Sequence, residues 1–230
     1  MNTGRHSIRC DSGLLTCVAW SIGEEVTYAL EGSAFNAGSA IQWLRDQCGV
    51  IATSHDVDIL AESIPDNGGV YFVPAFTGLG APYWDSYARG SFFGLTRGSG
   101  KAELSRAVLE GIAFEVADLV QTMNEAAPVS ISELRVDGGA CISDFMMQFQ
   151  ADLLRLPVNR PENVESTSLG AAFLAGLAAG VWTSTEDLEH IRRTQQVFQP
   201  VMAIQDRNRA LQNWHTAVEL SRLWGQRCQL

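Results

Sequence analysis

A layered α/β domain is the fold class this sequence predicts, on three observations. Short strand-like runs open the chain, helical and strand-like stretches then alternate to its end, and nothing divides the 230 residues into separate units. No internal repeat, low-complexity tract or Pro/Gly/Ser-rich linker interrupts it, so residues 1–230 read as one domain.

The opening strands are expected at 7–10, 14–20 and 25–30, punctuated by turns at Asp11-Ser12-Gly13 and Ile22-Gly23. A helix is expected over 34–48, with Ile41, Leu44 and Cys48 at core-facing spacing. A shorter one covers 56–63, closed by Pro65 and the turn Asp66-Asn67-Gly68-Gly69. Residues 70–76 and 91–95 read as strands across a long loop, 77–90, rich in Gly, Pro and aromatic residues; ordered loops of this length are often functional. The clearest helix runs over 101–125, with Leu104, Ala107, Val108, Gly111, Ile112, Val116, Leu119, Val120 and Met123 on one stripe and Ser99 as its expected N-cap. A strand at 134–136 ends in Asp137-Gly138-Gly139-Ala140, followed by a helix over 142–154, a strand at 158–160, and helices over 168–179 and 206–222.

Composition narrows the function classes. The chain is 46% hydrophobic and 18% charged, as ordinary soluble globules are. Sixteen basic against 26 acidic residues leave a net charge of −10, which argues against nucleic acid and against an anionic membrane surface as partners. The longest nearly apolar run, 169–182, is too short and too rich in Ala and Gly for a bilayer span of about 20 residues. The first residues do not form a basic segment followed by an apolar one, so a cytoplasmic location is expected. Five scattered cysteines without a CxxC pair form neither a zinc framework nor a disulfide scaffold. His6, His55, His190 and His215 have no metal-ligand spacing, so no metal site is expected.

Three apparent phosphate or dinucleotide motifs fail on their residues. Gly100-Lys101 has leucine at 95 where a P-loop needs its first glycine, and Ala102 where it needs Ser or Thr. Gly78-Leu79-Gly80 has tyrosine at 83 instead of a third glycine. Asp66-Asn67-Gly68 is followed by Gly69 and Val70, which supply no hydroxyl.

Two segments carry more. In Val136-Asp137-Gly138-Gly139-Ala140 a strand enters paired glycines and then a helix; glycines admit close backbone approach, and a helix N-terminus favours a polar or anionic group. A tight turn without a ligand accounts for the same residues. In loop 77–90, Tyr83 and Trp84 suggest an aromatic platform pinned by an Asp85–Arg89 pair; a packed surface loop with a structural ion pair is the alternative.

These segments resemble the FGGY carbohydrate-kinase family, its glycerol kinases in particular. Gly90-Ser91-Phe92-Phe93-Gly94-Leu95, a seven-residue spacer and Glu103-Leu104-Ser105-Arg106-Ala107-Val108-Leu109-Glu110 are similar to the family's second signature. Tyr28-Ala29-Leu30-Glu31-Gly32 and 76–85 favour glycerol kinases over xylulose or gluconate kinases, and the likeness runs from Met1 to about Trp182.

The resemblance implies a ribonuclease-H-like, actin-like ATPase domain with a central mixed β-sheet flanked by helices. It implies the C-terminal nucleotide-binding domain only, with the first strand shortened. Gly38 and Gln42 would contact the nucleotide from the first helix and Gly139 on the adenine side. Ser143 would stand where glycerol kinases commonly place an asparagine on the base, and serine cannot offer the amide's two-sided pattern. The reaction implied is phosphoryl transfer from ATP to glycerol, giving glycerol 3-phosphate and ADP with Mg²⁺. The phosphate loop, the Mg²⁺ ligands, the Gly-Asp-Gln base and the glycerol-gripping Arg-Glu pair belong to an N-terminal domain outside this sequence; Asp46-Gln47 follows Arg45 and does not match that base. No catalytic residue is therefore assigned, and the chain alone is expected to be inactive. Its partners would be that domain, glycerol through it, and further copies of itself through an exposed cleft face, making a homo-oligomer. The alternatives are a non-catalytic nucleotide-binding or structural half-protein that pairs with a separate first domain, and a kinase for another small polyol.

Overall fold

The computed structural model describes residues 1–128, 130–189 and 191–228; His190 therefore lies outside the described residues. Strands β1 (Asn2–Gly4), β2 (Leu15–Ile22) and β3 (Glu25–Glu31) form an antiparallel sheet in the order β1-β3-β2. The strand expected at 7–10 is irregular instead. β3 already pairs with β2 on one edge and with Asn2–Gly4 on the other, and Leu30 donates to the Met1 carbonyl at 2.8 Å. Residues 7–10 form no ladder with the outer edge of β1 or of β2, and the Ile8 carbonyl instead accepts from the Thr16 hydroxyl.

Helix α1 spans Gly38–Asp46 and starts four residues later than expected, because the chain before it is committed elsewhere. The Ser33 carbonyl accepts from Ala81 N–H at 3.1 Å, and the Asn36 side chain contacts Thr77 and Ser39. Cys48 lies beyond the helix end and is exposed, not core-facing. Helix α2 (Asp56–Glu62) is stabilised at its start by the Asp56 carboxylate, which accepts from the Ala52 and Thr53 N–H groups at 3.0 and 2.8 Å. Strands β4 (Tyr71–Val73) and β5 (Ser91–Phe93) pair antiparallel. β4 stops where Pro74 lacks an N–H and the chain folds back, with Phe76 N–H on the Pro74 carbonyl at 3.0 Å.

Helix α3 (Lys101–Ala126) is the centre of the molecule. It is buried on almost every side, because α2, β4, α4 and α7 surround it; one apolar stripe understates it. Its N-cap is Gly100, not Ser99: Gly100 N–H donates to Glu103 Oε2 at 2.8 Å, while the Ser99 hydroxyl accepts from Thr96 N–H.

The remaining elements are β6 (Leu134–Arg135), a 3₁₀ turn (Gly139–Ile142), α4 (Asp144–Leu154), β7 (Val158–Pro161), α5 (Ser166–Ala178), α6 (Glu186–Glu189), β8 (Thr194–Phe198) and α7 (Ile204–Cys228). β6 and β7 run parallel, β7 and β8 antiparallel, so the mixed pairing lies in this sheet. The strands are distributed over three small sheets, and helices pack beside them. The core gathers on α3: Trp214 of α7 stacks on Phe114 with ring centroids 5.1 Å apart and planes 8° apart, beside Phe72, Leu109 and Leu153. Helix α5 is apolar yet buries only Gly176 among its residues.

Candidate functional site

The glycine turn between β6 and α4 is built from the strand upward. Val136 N–H pairs with the Asn159 carbonyl at 3.2 Å, and Gly138 N–H with the Val164 carbonyl at 2.8 Å. Gly138 has φ +77°, a left-handed conformation that glycine adopts without strain. Gly139 is exposed, and a Cβ there would meet open space. The turn is then locked from beneath by Arg160 of β7, a buried residue whose role no local pattern announced. Its Nη1 donates to the Cys141 and Ile142 carbonyls at 2.8 and 3.0 Å. Its Nη2 reaches Asp144 Oδ1 at 2.6 Å and Gln196 Oε1 at 3.2 Å, and its Nε reaches Gln195 Oε1 at 2.8 Å. All five guanidinium N–H groups are thereby used.

Ser143 is buried and acts as the N-cap of α4, its hydroxyl accepting from Met146 N–H at 3.0 Å. The same hydroxyl donates in a short bond to Asp58 Oδ1 on α2, a partner that sequence reasoning did not find. Burial raises the Asp58 carboxyl above its ordinary range, against the pull of that hydrogen bond and of His55. Gly38 begins α1 with open space at its Cβ position, and Gln42 lies one turn on and is exposed. Gly139 and Ser143 thus share one turn, while Gly38 and Gln42 share another element. Among the described residues no hydrogen bond or ion pair joins the two pairs.

The long loop is a packed structural element rather than a platform. Tyr83 turns inward and donates to Asp118 Oδ2 at 2.7 Å; burial, then the Asp118 charge, push its phenol well above the usual range. Trp84 points elsewhere, with its indole N–H on the Gly13 carbonyl and its ring edge-on to Phe35. The expected Asp85–Arg89 pair is replaced by Asp85–Arg222, at 3.0 Å from α7. Burial pushes the Asp85 carboxyl up. The Arg222 hydrogen bond and the Tyr87 and Ala88 N–H groups outweigh this and leave it below the ordinary value. Arg89 donates to the Ser86 and Ala88 carbonyls.

The second-signature residues are structural too. Gly94 has φ +79°, and a Cβ there would overlap the Gly69 carbonyl. Glu110 is buried between Arg106 Nε, at 2.8 Å, and Asn67 Nδ2, at 2.7 Å; Arg106 Nη1 also donates to the Ala61 and Ile64 carbonyls. The motif therefore ties the 66–69 turn and α2 to α3. A further buried network joins α3 to α7: Asp118 accepts from Trp214 Nε1 at 2.7 Å and pairs with His215 Nε2 at 3.0 Å. Glu115 lies one turn away, with one buried oxygen lacking a hydrogen-bond partner among the described residues. Burial, with the Asp118 charge, lifts its carboxyl to about 8.

No group of three or more His, Cys, Asp or Glu is arranged to hold a metal ion among the described residues. Nor is any described helix long and apolar enough to cross a membrane.

Residues 5–179 match the FGGY family of carbohydrate kinases, C-terminal domain. The chain is 51% identical over 228 residues to a glycerol kinase of Janthinobacterium sp. (strain Marseille), covering 97% of this chain and 46% of that protein. It is 49% identical over 227 residues to glycerol kinase 2 of Thermotoga maritima, covering 99% and 46%. The chain thus spans about half the length of the curated relatives it matches. Among solved structures it superposes on Plasmodium falciparum glycerol kinase with ADP at a TM-score of 0.87 and 35% identity, covering 96% of this chain and 44% of that one. A ligand-bound xylulose kinase from Lactobacillus acidophilus follows at 0.76 and 26%, covering 95% and 44%. The mixed α/β architecture is the actin-like ATPase fold of these sugar kinases. From the family match and these identities together, the chain belongs to the FGGY family of carbohydrate kinases.

Proposed function

We propose that residues 1–230 form the nucleotide-holding domain of an ATP-dependent kinase that phosphorylates glycerol, yielding glycerol 3-phosphate and ADP. The observation that carries this is the turn at Gly138–Ile142: bare backbone open to solvent at Gly139, held from below by Arg160, which donates to the Cys141 and Ile142 carbonyls and to Asp144 just beyond them. A fixed, side-chain-free surface of this kind suits the close approach of a planar ligand. Its likeness to an ADP-bound glycerol kinase structure supports a nucleotide as that ligand. Gly139 and Ser143 would lie on the base side, and Gly38 and Gln42 would approach from α1.

Phosphoryl transfer also needs a phosphate cradle, Mg²⁺ and a carboxylate to take the hydroxyl proton. This reading assigns those groups, with the glycerol contacts, to an N-terminal domain that pairs with this one. Mixed in solution, the two would close into the working enzyme, in the cytoplasm and as a homo-oligomer. The likeness to a xylulose kinase supports, as a second reading, another small polyol as acceptor.

The test is a coupled ATP/Mg²⁺/glycerol assay on the chain with and without a separately expressed N-terminal glycerol-kinase domain, with xylitol and ribitol run in parallel. Activity on mixing alone is expected, with glycerol preferred. Turnover by the chain alone would overturn the assignment of the base. Silence on mixing with a folded N-terminal domain would overturn the kinase reading.

A further inference from the structure

We infer that the outward face of helix α7 is a self-association surface, on which two copies of this chain pair antiparallel about Leu223. The pairing gives the proposed homo-oligomer its surface and rests on that part of the reading alone, not on the kinase chemistry. Helix α7 buries Trp214, Ala217, Val218, Ser221 and Gly225 against the domain. On a helix bounded by water the opposite face is polar. Here Leu220, Leu223 and Trp224 are instead 46%, 48% and 59% exposed. With Arg227 and with Phe92 and Phe93 of β5 they line a groove of about 700 Å³. Single exposed apolar side chains are ordinary, but a contiguous apolar groove edged by charge marks an interaction surface.

The charge pattern identifies the occupant as a second copy. Glu219 and Arg227 lie four residues to either side of Leu223, one at each end of the apolar patch. Glu219 lines a neighbouring depression with Leu223 and Gln226, and Arg227 lines the groove itself. Neither forms an ion pair with a described residue. Arg222, between them, is already committed to Asp85 and to the Tyr83 ring. A two-fold axis through Leu223 brings Glu219 of each copy opposite Arg227 of the other, so both carboxylates meet a guanidinium and each apolar patch meets its own copy. Parallel pairing would set Glu219 against Glu219 and Arg227 against Arg227, so charge fixes the direction. Thr216, Leu220, Leu223 and Arg227 follow the spacing of four, three and four that a helix–helix seam uses. Trp224, at the edge of that seam, is the kind of large aromatic side chain that anchors interfaces. One helix face and one strand supply fewer residues than the roughly 20–30 a side of a standard interface, so the pairing is weak, with a dissociation constant on the order of 10–100 µM.

Sedimentation velocity of the 230-residue chain from about 5 to about 500 µM, without nucleotide or glycerol, tests the pairing. A monomer–dimer equilibrium within that range is expected. Leu223→Glu puts like charges at the axis and is expected to leave a folded monomer throughout. Glu219→Arg or Arg227→Glu alone sets like charges opposite one another and is expected to weaken the dimer about tenfold or more. The double exchange is expected to restore it to within about threefold. Circular dichroism reads the fold of each variant. Recovery is the decisive result, because a folding defect from one substitution would not be repaired by the other. A double exchange as weak as the single ones would overturn the antiparallel register. A dimer indifferent to Leu223→Glu would overturn this surface and leave the homo-oligomer standing, whereas a chain monomeric throughout would overturn both. Dissociation of the dimer by an equal amount of an N-terminal glycerol-kinase domain would give the face to that domain and overturn the self-pairing. The kinase reading turns on activity and is untouched by any of these results.

Discussion

Replacing Glu115 by glutamine is expected to stabilise the domain, increasingly so as pH rises. Glu115 is buried on α3 beside Asp118, and its carboxyl keeps its proton to about pH 8, against an ordinary value of 4.5. Between those two values the folded chain holds a proton that the unfolded chain has released. The sign follows: the unfolded state binds fewer protons, so stability falls as pH rises from 4.5 to 8 and levels off above. At 1.36 kcal/mol per pH unit, the cost at pH 7 is about 3 kcal/mol, with a ceiling near 5 above pH 8. Glutamine has a similar shape and no charge to lose. It leaves a polar group in the same space, an offset of about 1–3 kcal/mol if unpaired. The pH dependence is therefore the decisive quantity. Urea unfolding at pH 5, 6, 7 and 8 for both proteins reads it directly. The stability difference is expected to move in favour of Glu115→Gln by about 1 kcal/mol or more from pH 5 to pH 8. A difference that stays constant across this range would refute the reasoning, whichever protein is the more stable.

Helix α7 supports three more predictions. Trp214→Phe keeps the stack on Phe114 but removes the indole N–H from Asp118, and is expected to cost about 1–3 kcal/mol in urea unfolding followed by circular dichroism. A Cβ at Gly225 would overlap the Tyr87 carbonyl, so Gly225→Ala is expected to lower the melting temperature through about 1–3 kcal/mol of overpacking; an unchanged melting temperature would mean that α7 does not hold the 77–90 loop. Its hydrogen bond to Asp118 raises the His215 imidazole above 6.5 despite partial burial, so its stabilising contribution is fully present below pH 6.5 and disappears as pH rises through the folded-state value. Ring NMR titration reads that value, and His215→Gln is expected to remove this part of the pH dependence.

What the sequence made legible was local. Helices α2 and α3 and the Asp137–Ala140 turn were readable because capping residues, apolar spacing and paired glycines act over a few positions. β8 was not readable: only Val197 and Phe198 of its five residues are apolar, and four of the five face solvent. The strand expected at 7–10 has suitable residues, but the chain there is irregular and joins no ladder of the β1-β3-β2 sheet, an outcome that local pattern does not decide. The candidate site divides in the same way. Gly139 and its exposure follow from a turn signal, whereas Ser143 is governed by Asp58, 85 positions away. Asp85 is likewise claimed by Arg222, 137 positions on, over the much nearer Arg89. Arg160 reads as one basic residue in a short strand until its donors are placed on the Cys141 and Ile142 carbonyls, on Asp144 and on the β8 side chains Gln195 and Gln196.

The seating of Trp214 against Phe114 also bears on how the domain is made. Helix α3 is finished at Ala126, but the ring that completes its packing comes from Trp214, and the groups that fasten the 77–90 loop, Ser221 and Arg222, come later still. During synthesis at ~5–20 residues per second, α3 therefore waits on the order of ten seconds with an aromatic face and a carboxylate pair uncovered. A nascent chain in that condition is a target for chaperones and for aggregation. Slower elongation past α3 is expected to prolong the exposure, not to help the domain fold, because the missing partner lies downstream.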